Sequence, residues 1–160
     1  MPGVRLPLQD AEIRIVPAAV TRPLRAELLR PGSAPEELVY PGDDDPETRH
    51  LGAYLHGKLV SIASVYQKAP PGEISSTTWQ LRGMATRPEV QGQGHGRALL
   101  QACIAYATFC SGTLLWCNAR TGAVGFYQAS GFQARGEEFQ IPGVGPHFVM
   151  WRSLRTTGQE

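Results

Sequence analysis

An α/β domain built on a mixed sheet is the architecture to which this 160-residue chain points. Three observations carry that expectation. Strand-like stretches come first, and then strand, helix, strand, helix and strands follow in turn. The longest helical pattern, after Gly96, is apolar on most of its sides, as in a helix buried against a sheet. The next stretch, "TLLWCN", is an unbroken apolar run of strand length, as in a strand covered on both faces. The length is that of one domain, large enough to bury a sizeable core, and there is neither an internal repeat nor a linker.

Each element has its own local reason. "AEIRIVP" alternates Ile13 and Ile15 with charged residues and stops at Pro17, predicting a strand with one buried face. In "TRPLRAELLRPG", Thr21 is placed to cap a helix, Pro23 suits an early helical position, and Pro31-Gly32 ends it. "PEELVYPGDDDPETR" reads as a loop with one helical turn, and Asp43, Asp44 and Asp45 as a solvated surface cluster. "RHLGAYLHGKLVSIASVYQ" is a hairpin turning at His56-Gly57, with strands near Leu51–Leu55 and Leu59–Tyr66. After the loop "KAPPGEISS", the strand "TTWQLRGMAT" stops before Pro88, which biases Arg87 toward extended geometry.

In the helix "RALLQACIAYATFC", Leu99, Cys103, Tyr106 and Cys110 mark one face, Leu100, Ile104 and Ala107 a second, and Gly112 its end. "TGAVGFYQASGF" is a short helix capped by Gly131. "FQARGEEFQ" and "HFVMWRSL" are two strands joined by "IPGVGP", and the residues after Leu154 read as a frayed tail.

Composition narrows the function. Lys and Arg total 15 against 14 Asp and Glu, a net charge of +1, which offers no footprint for nucleic acid or an anionic membrane. The N-terminal "MPGVRLPLQD" has no apolar core of a signal peptide, and no stretch reaches membrane-spanning length, so a cytoplasmic protein is expected. Three cysteines, Cys103, Cys110 and Cys117, lack paired spacing and read as small buried hydrophobes rather than a disulfide framework or a zinc site. No metal is expected.

The most informative stretch is "QGQGHG", Gln91–Gly96, between a strand and a helix. The first turn of a helix carries amide donors without intrahelical partners, and the helix dipole adds partial positive charge there. Such an end binds phosphate, and glycines let the main chain approach it. Gln91 could tie the loop to itself, and Arg97 adds a cation. A plain tight turn is the alternative. Arg97-Ala98 does not fit a P-loop, which needs Lys then Ser/Thr, and Arg97 stands where the dinucleotide fingerprint needs its third glycine. The pattern Q/R-x-x-G-x-G/A is matched in full by Gln91, Gly94 and Gly96.

Through that pattern the chain resembles the GNAT N-acetyltransferase superfamily. "LRGMATRPEVQGQGHGRALL" looks like the family's strand–loop–helix core, and "NARTGAVGFYQASGF" like its later strand end and helix. The resemblance runs roughly from residue 10 to residue 154. It implies a mostly antiparallel mixed sheet with a V-shaped splay between two central strands and helices on both faces. It implies acetyl-CoA as cosubstrate, lying between "QLRGMAT" and "LLWCN". Main-chain groups of Met84, Ala85 and Thr86 would pair with the pantetheine arm like an added strand. The pyrophosphate would sit on the amides of Gln91, Gly92, Gln93, Gly94, His95, Gly96 and Arg97. An N–H near Met84 could polarise the thioester carbonyl.

Transfer to an amine needs two proton movements. At a lysine-like pKa near 10.4, only on the order of one amine in a thousand is neutral at pH 7. The leaving thiolate must also be neutralised, and Tyr127 occupies the family's position for that acid; a packing aromatic is its alternative. Asn118 is placed to bond the pantetheine or order a water, or simply to cap the next turn.

The sequence departs from clearer relatives in its base, since "TTWQLRGMAT" has no carboxylate. Glu73, Glu137, Glu138 and His147 are candidates elsewhere, each with a surface role as its alternative; Glu138 and His147 are carried forward as catalytic candidates. Alternation should turn one of Glu137 and Glu138 inward. Water relays, or an amine arriving already neutral, would remove the need for a base. Arg82, an arginine in an apolar strand, reads as a binder of a substrate carboxylate or as half of an internal salt bridge to Glu73, Glu137 or Glu138. His50 and His56 look incidental, and His95 matters only through its backbone.

The resulting expectation is an acetyl-CoA-dependent N-acetyltransferase acting on a small amine or amino-acid-like acceptor by direct attack in a ternary complex. A noncatalytic acyl-CoA-binding or sensory module, and a protein N-terminal or lysine acetyltransferase, are the alternatives. The expected partner is a small-molecule amine, with neither nucleic acid nor membrane, and at most a second copy of the chain in a homodimer.

Overall fold

A computed structural model describes residues 11–154, so the expectations for the N-terminal stretch and for the tail after Leu154 lie outside the described residues. Seven strands form one sheet in the order β1-β2-β3-β4-β5-β7-β6. They are β1 (Glu12–Val16), β2 (Arg49–Leu55), β3 (Lys58–Gln67), β4 (Thr78–Thr86), β5 (Leu114–Arg120), β6 (Gln133–Ile141) and β7 (Gly145–Ser153). Every neighbouring pair is antiparallel except β4 and β5. Parallel strands need a crossover, and α2 (His95–Phe109) supplies it.

Helices cover both faces, and strand alternation assigns each residue its side. On one face α2 and the short α3 (Val124–Gln128) pack Leu99, Leu100, Cys103, Ala107 and Tyr127 against Ala63, Val65, Leu81, Leu115, Cys117 and Met150. On the other face α1 (Ala18–Leu24) runs into a π-helical turn, Arg25–Leu29, whose Arg25 bonds Ser64 and Tyr66 of β3.

The hairpin at His56-Gly57 forms as expected, with φ of 51° and 78° in the turn. Gly131, with φ of 88°, follows α3. Other expectations need correction. The first helix starts at Ala18 after Pro17, not at Thr21. Thr21 is buried and its hydroxyl donates to Ala18 O (2.7 Å), while Pro23 lies within the helix, just before the π turn. Ile15 is exposed; Ile13 and Val16 are the residues of β1 that turn inward. After α2 the left-handed position is Ser111, with φ of 61°. Gly112 serves close packing instead, since a Cβ there would stand 2.7 Å from both Ala107 O and Trp79 Cδ1.

The largest correction concerns the aspartates. Asp44 and Asp45 are exposed, but the Asp43 side chain is 1% exposed and paired with a fully buried Arg25. Both guanidinium Nη atoms reach its carboxylate, at 2.8 and 3.1 Å. Leu38 O, Ser64 and Tyr66 accept further bonds from Arg25, and His50, far from incidental, joins Ser64 to Asp43 O at 2.6 and 2.9 Å. Burying a charge is tolerated when it is paired and its donors are used. This network fastens the loop carrying Tyr40 to β3.

Two irregularities open the sheet at its centre. β4 and β5 are paired only over Thr78–Gln80 and Leu114–Trp116, after which both strands continue without pairing to each other. And β4 bulges: Ile62 faces Ala85 while Ser64 faces Arg82, so two residues of β4 oppose Ala63 alone. Gly83, with φ of 67°, makes that bulge.

Candidate active site

The glycine loop is built as its sequence requires. Pro88–Val90 forms one 3₁₀ turn, Gln91 is extended, and Gly94 stands at the helix N-cap with φ of 90°. A side chain there would be strained by that backbone. Gly96 is small for another reason: a Cβ would lie 3.0 Å from Thr86 Oγ1. The helical ladder opens with Ala98 N donating to Gly94 O (2.9 Å), so the amides of His95, Gly96 and Arg97 precede it. No side chain caps them. Gln91 does tie the loop down, but to the end of β4, its Nε2 donating to Thr86 O (3.0 Å). Arg97 is exposed at the same end. His95 differs from expectation: its side chain is buried, with Nε2 lacking a partner among the described residues.

At the splay, Met84 follows the bulge and leans on the core. The carbonyls of Ala85 and Thr86 already accept from Ser61 Oγ and Gln91. Among these three residues, the bulge leaves Met84 the main chain freest of β3. The loop amides at the helix end and the main chain of Met84 in the bulge are both left with donors and acceptors to offer. That chemistry fits a diphosphate joined to an extended amide-bearing arm.

Tyr127 enters from the α2 side. It is 8% exposed and packed edge-on against Phe126 and Phe132, with ring centres 5.1 and 5.5 Å away. Its hydroxyl has no bonding partner among the described residues. Burial, and then the neighbouring Cys117 and Cys103, push the phenol above its usual pKa, so it stays protonated. Burial likewise pushes the thiols of Cys103 and Cys117 up to about 12, in keeping with inert core residues.

Alternation places the remaining candidates on the opposite face. Leu115, Cys117 and Ala119 of β5 face the core, so Asn118 and Arg120 face α1. Met150 faces the core, so His147, paired with Arg120 across the strands, also faces α1. His147 is 4% exposed, and its Nδ1 donates to Gly145 O (2.8 Å), which leaves Nε2 as the ring nitrogen outside that bond. Asn118 is exposed and caps nothing among the described residues.

The glutamates behave otherwise than expected. Neither Glu137 nor Glu138 turns inward, because β6 bulges there: Arg135 faces Val149 and Phe139 faces His147. Glu138 accepts from Thr121 Oγ1 (2.8 Å) at the surface, and Glu73 pairs with Arg135 (3.1 Å). Arg82 therefore has no salt bridge to any of them. Its guanidinium lies 4.0 Å from the centre of the Tyr40 ring, a contact that nothing in the sequence reading anticipated.

The geometry can be set beside known proteins. Residues 21–132 match the family described as "Acetyltransferase (GNAT) family". The chain is 34% identical over 146 residues to the "Uncharacterized N-acetyltransferase YitI" of Bacillus subtilis, covering 91% of this chain and 98% of that one. Among solved structures it resembles Ard1 from Thermoplasma volcanium, with a TM-score of 0.74 and 15% identity over 92% of this chain and 99% of that one. It also resembles an aminoglycoside 6'-N-acetyltransferase complexed with coenzyme A, with a TM-score of 0.67 and 14% identity over 92% and 99% of the two chains. Among the described residues there is no cluster of side chains suited to a metal, and no helix long and apolar enough to cross a membrane.

Proposed function

Because the chain belongs to the GNAT acetyltransferase family, we propose that it moves an acetyl group from acetyl-CoA to the primary amine of a small or amino-acid-like acceptor, by direct attack in a ternary complex. The observation that carries this reading is the two-sided splay. Tyr127 lies on the α2 face of the sheet, and Asn118 and His147 project from the α1 face. On this reading an acid for the leaving thiolate and an acceptor for the amine proton would come from opposite faces of the sheet.

Acetyl-CoA supplies an activated acyl group on a thiolate leaving group. The amides from Gln91 to Arg97, with Gly92, Gln93, Gly94, His95 and Gly96 between them, would hold its diphosphate, and Met84, Ala85 and Thr86 its arm. An N–H near Met84 would polarise the acyl carbonyl. Tyr127, kept protonated by burial, is the proton donor to sulfur. Asn118 would bond the arm or order a water on the acceptor side.

His147 is the favoured base, its Nε2 oriented by the bond from Nδ1. Glu138, exposed and bonded to Thr121, would act only through intervening water.

Thiol release from acetyl-CoA across a panel of amines tests the reading. Acetyl-CoA should raise the melting temperature, and at least one small primary amine should be consumed. Stabilisation by acetyl-CoA with no turnover on any amine would reject the transferase reading.

A further inference from the structure

We infer that the acceptor carries a carboxylate close to its amine, and that Arg82, held on the ring of Tyr40, selects it. This rests on the transferase reading and adds the acceptor's chemical class.

Tyr40 is stacked by two guanidiniums: Arg25 Cζ lies 3.9 Å and Arg82 Cζ 4.0 Å from its ring centre. Two planar groups cannot share one face of a ring at that distance, so the ring is held between them. The two cations differ in one respect. Arg25 is fully buried and neutralised by Asp43. Arg82 is half-buried and takes part in none of the ion pairs or hydrogen bonds among the described residues. Asp43 is paired with Arg25 and Glu27 with Arg87 (3.0 Å), and Glu138 is bonded to Thr121. A guanidinium has five donors in a planar fork, and stacking uses its face while leaving that fork free. A partly buried cation without an acid gains most from an anion that arrives as ligand.

Position says which ligand brings the anion. Arg82 precedes the Gly83 bulge and faces α1, whereas the glycine loop begins α2 on the other face. The phosphates of acetyl-CoA belong to the α2 side, so the anion at Arg82 belongs to the acceptor. Arg82 is two residues from Met84 along β4, across the bulge, within reach of a carboxylate a few bonds from the attacking amine. Arg120 adds positive charge to the same side, with its Nη2 donating to Leu29 O (3.1 Å). Tyr40 is here a positioning residue. Its ring sets the direction of the fork, and its amide donates to Asp43 Oδ2 (2.9 Å), which locks it to the buried network.

The test compares acetyl transfer to α- and ω-amino acids with transfer to the matching carboxamides. The carboxamide's amine is the less basic and is more often neutral, so amine reactivity alone favours the wrong member of each pair. Wild-type protein should prefer the acid by about 10- to 100-fold in kcat/KM, the range of a charge-assisted two-pronged contact. Arg82→Met should collapse that ratio toward one, mainly through KM. Tyr40→Ala should do the same, and Tyr40→Phe, which keeps the ring, should restore the preference. Stabilisation by acetyl-CoA shows that each variant is folded. Equal use of acid and carboxamide by the wild type would overturn the inference and leave the transferase reading standing, as would a preference that survives Arg82→Met. Transfer to no amine at all would overturn both.

Discussion

Gly96 sits against Thr86 so closely that a Cβ on it would stand 3.0 Å from the threonine hydroxyl oxygen. Thr86 is itself held by Ser61 at 2.8 Å and, through its carbonyl, by Gln91. The first turn of α2 is thereby docked onto the end of β4, two residues beyond Met84. Gly96→Val should push the two apart. Calorimetric titration with acetyl-CoA is expected to show affinity reduced about tenfold or more, with the protein still folded. Unchanged affinity would mean that the docking is irrelevant to the cofactor.

Asp43 predicts a specific acid sensitivity. Burial alone would raise its pKa, but hydrogen bonds from Arg25, Tyr66 and the Tyr40 amide, with the charge of Arg25, outweigh that and lower it to about 2 from an ordinary 3.8. The folded value is depressed, so the stability it contributes is complete above the unfolded value and is lost as pH falls through the folded one. Denaturant unfolding should therefore lose about 2 kcal/mol from this group between pH 5 and pH 2. Asp43→Asn should remove that part of the slope. It should also cost about 3–5 kcal/mol at neutral pH, because Arg25 is left buried and unpaired.

Tyr127→Phe separates chemistry from binding. The ring's packing survives and only the proton donor is lost. Turnover should fall about 100-fold while acetyl-CoA affinity stays within about threefold. Since burial holds the phenol protonated well into alkali, the alkaline limb of the pH–rate profile should keep its position in the variant. An unchanged rate would remove Tyr127 from the acid role.

His147→Ala tests the base. It should lower turnover about 10- to 100-fold, and added imidazole should restore part of the activity. Glu138→Gln should cost less, because that carboxylate is at the surface on Thr121. A larger loss from Glu138→Gln than from His147→Ala would reverse the assignment.

The parts of this site that were legible in the sequence are those written in local pattern. The glycine loop, the apolar helix behind it and the "FYQASGF" helix are each written in a short contiguous stretch. Arg25 and Asp43 are 18 residues apart, and three adjacent aspartates look alike until the fold turns one of them inward. The Gly83 bulge hides inside an ordinary strand pattern. The bulge between Arg135 and Phe139 defeats the alternation that should have turned a glutamate inward. Tyr40 was invisible for the same reason as Asp43: its partners come from the π turn and from β4.

The amide spectrum of the labelled protein, titrated with coenzyme A and separately with pantetheine, tests the central claim most directly. Coenzyme A should shift the amides of Gly94, His95, Gly96 and Arg97 strongly, and pantetheine, which lacks the diphosphate, should leave them nearly still while moving Met84. Equal shifts with both ligands, or silence at the four amides under saturating coenzyme A, would contradict the account.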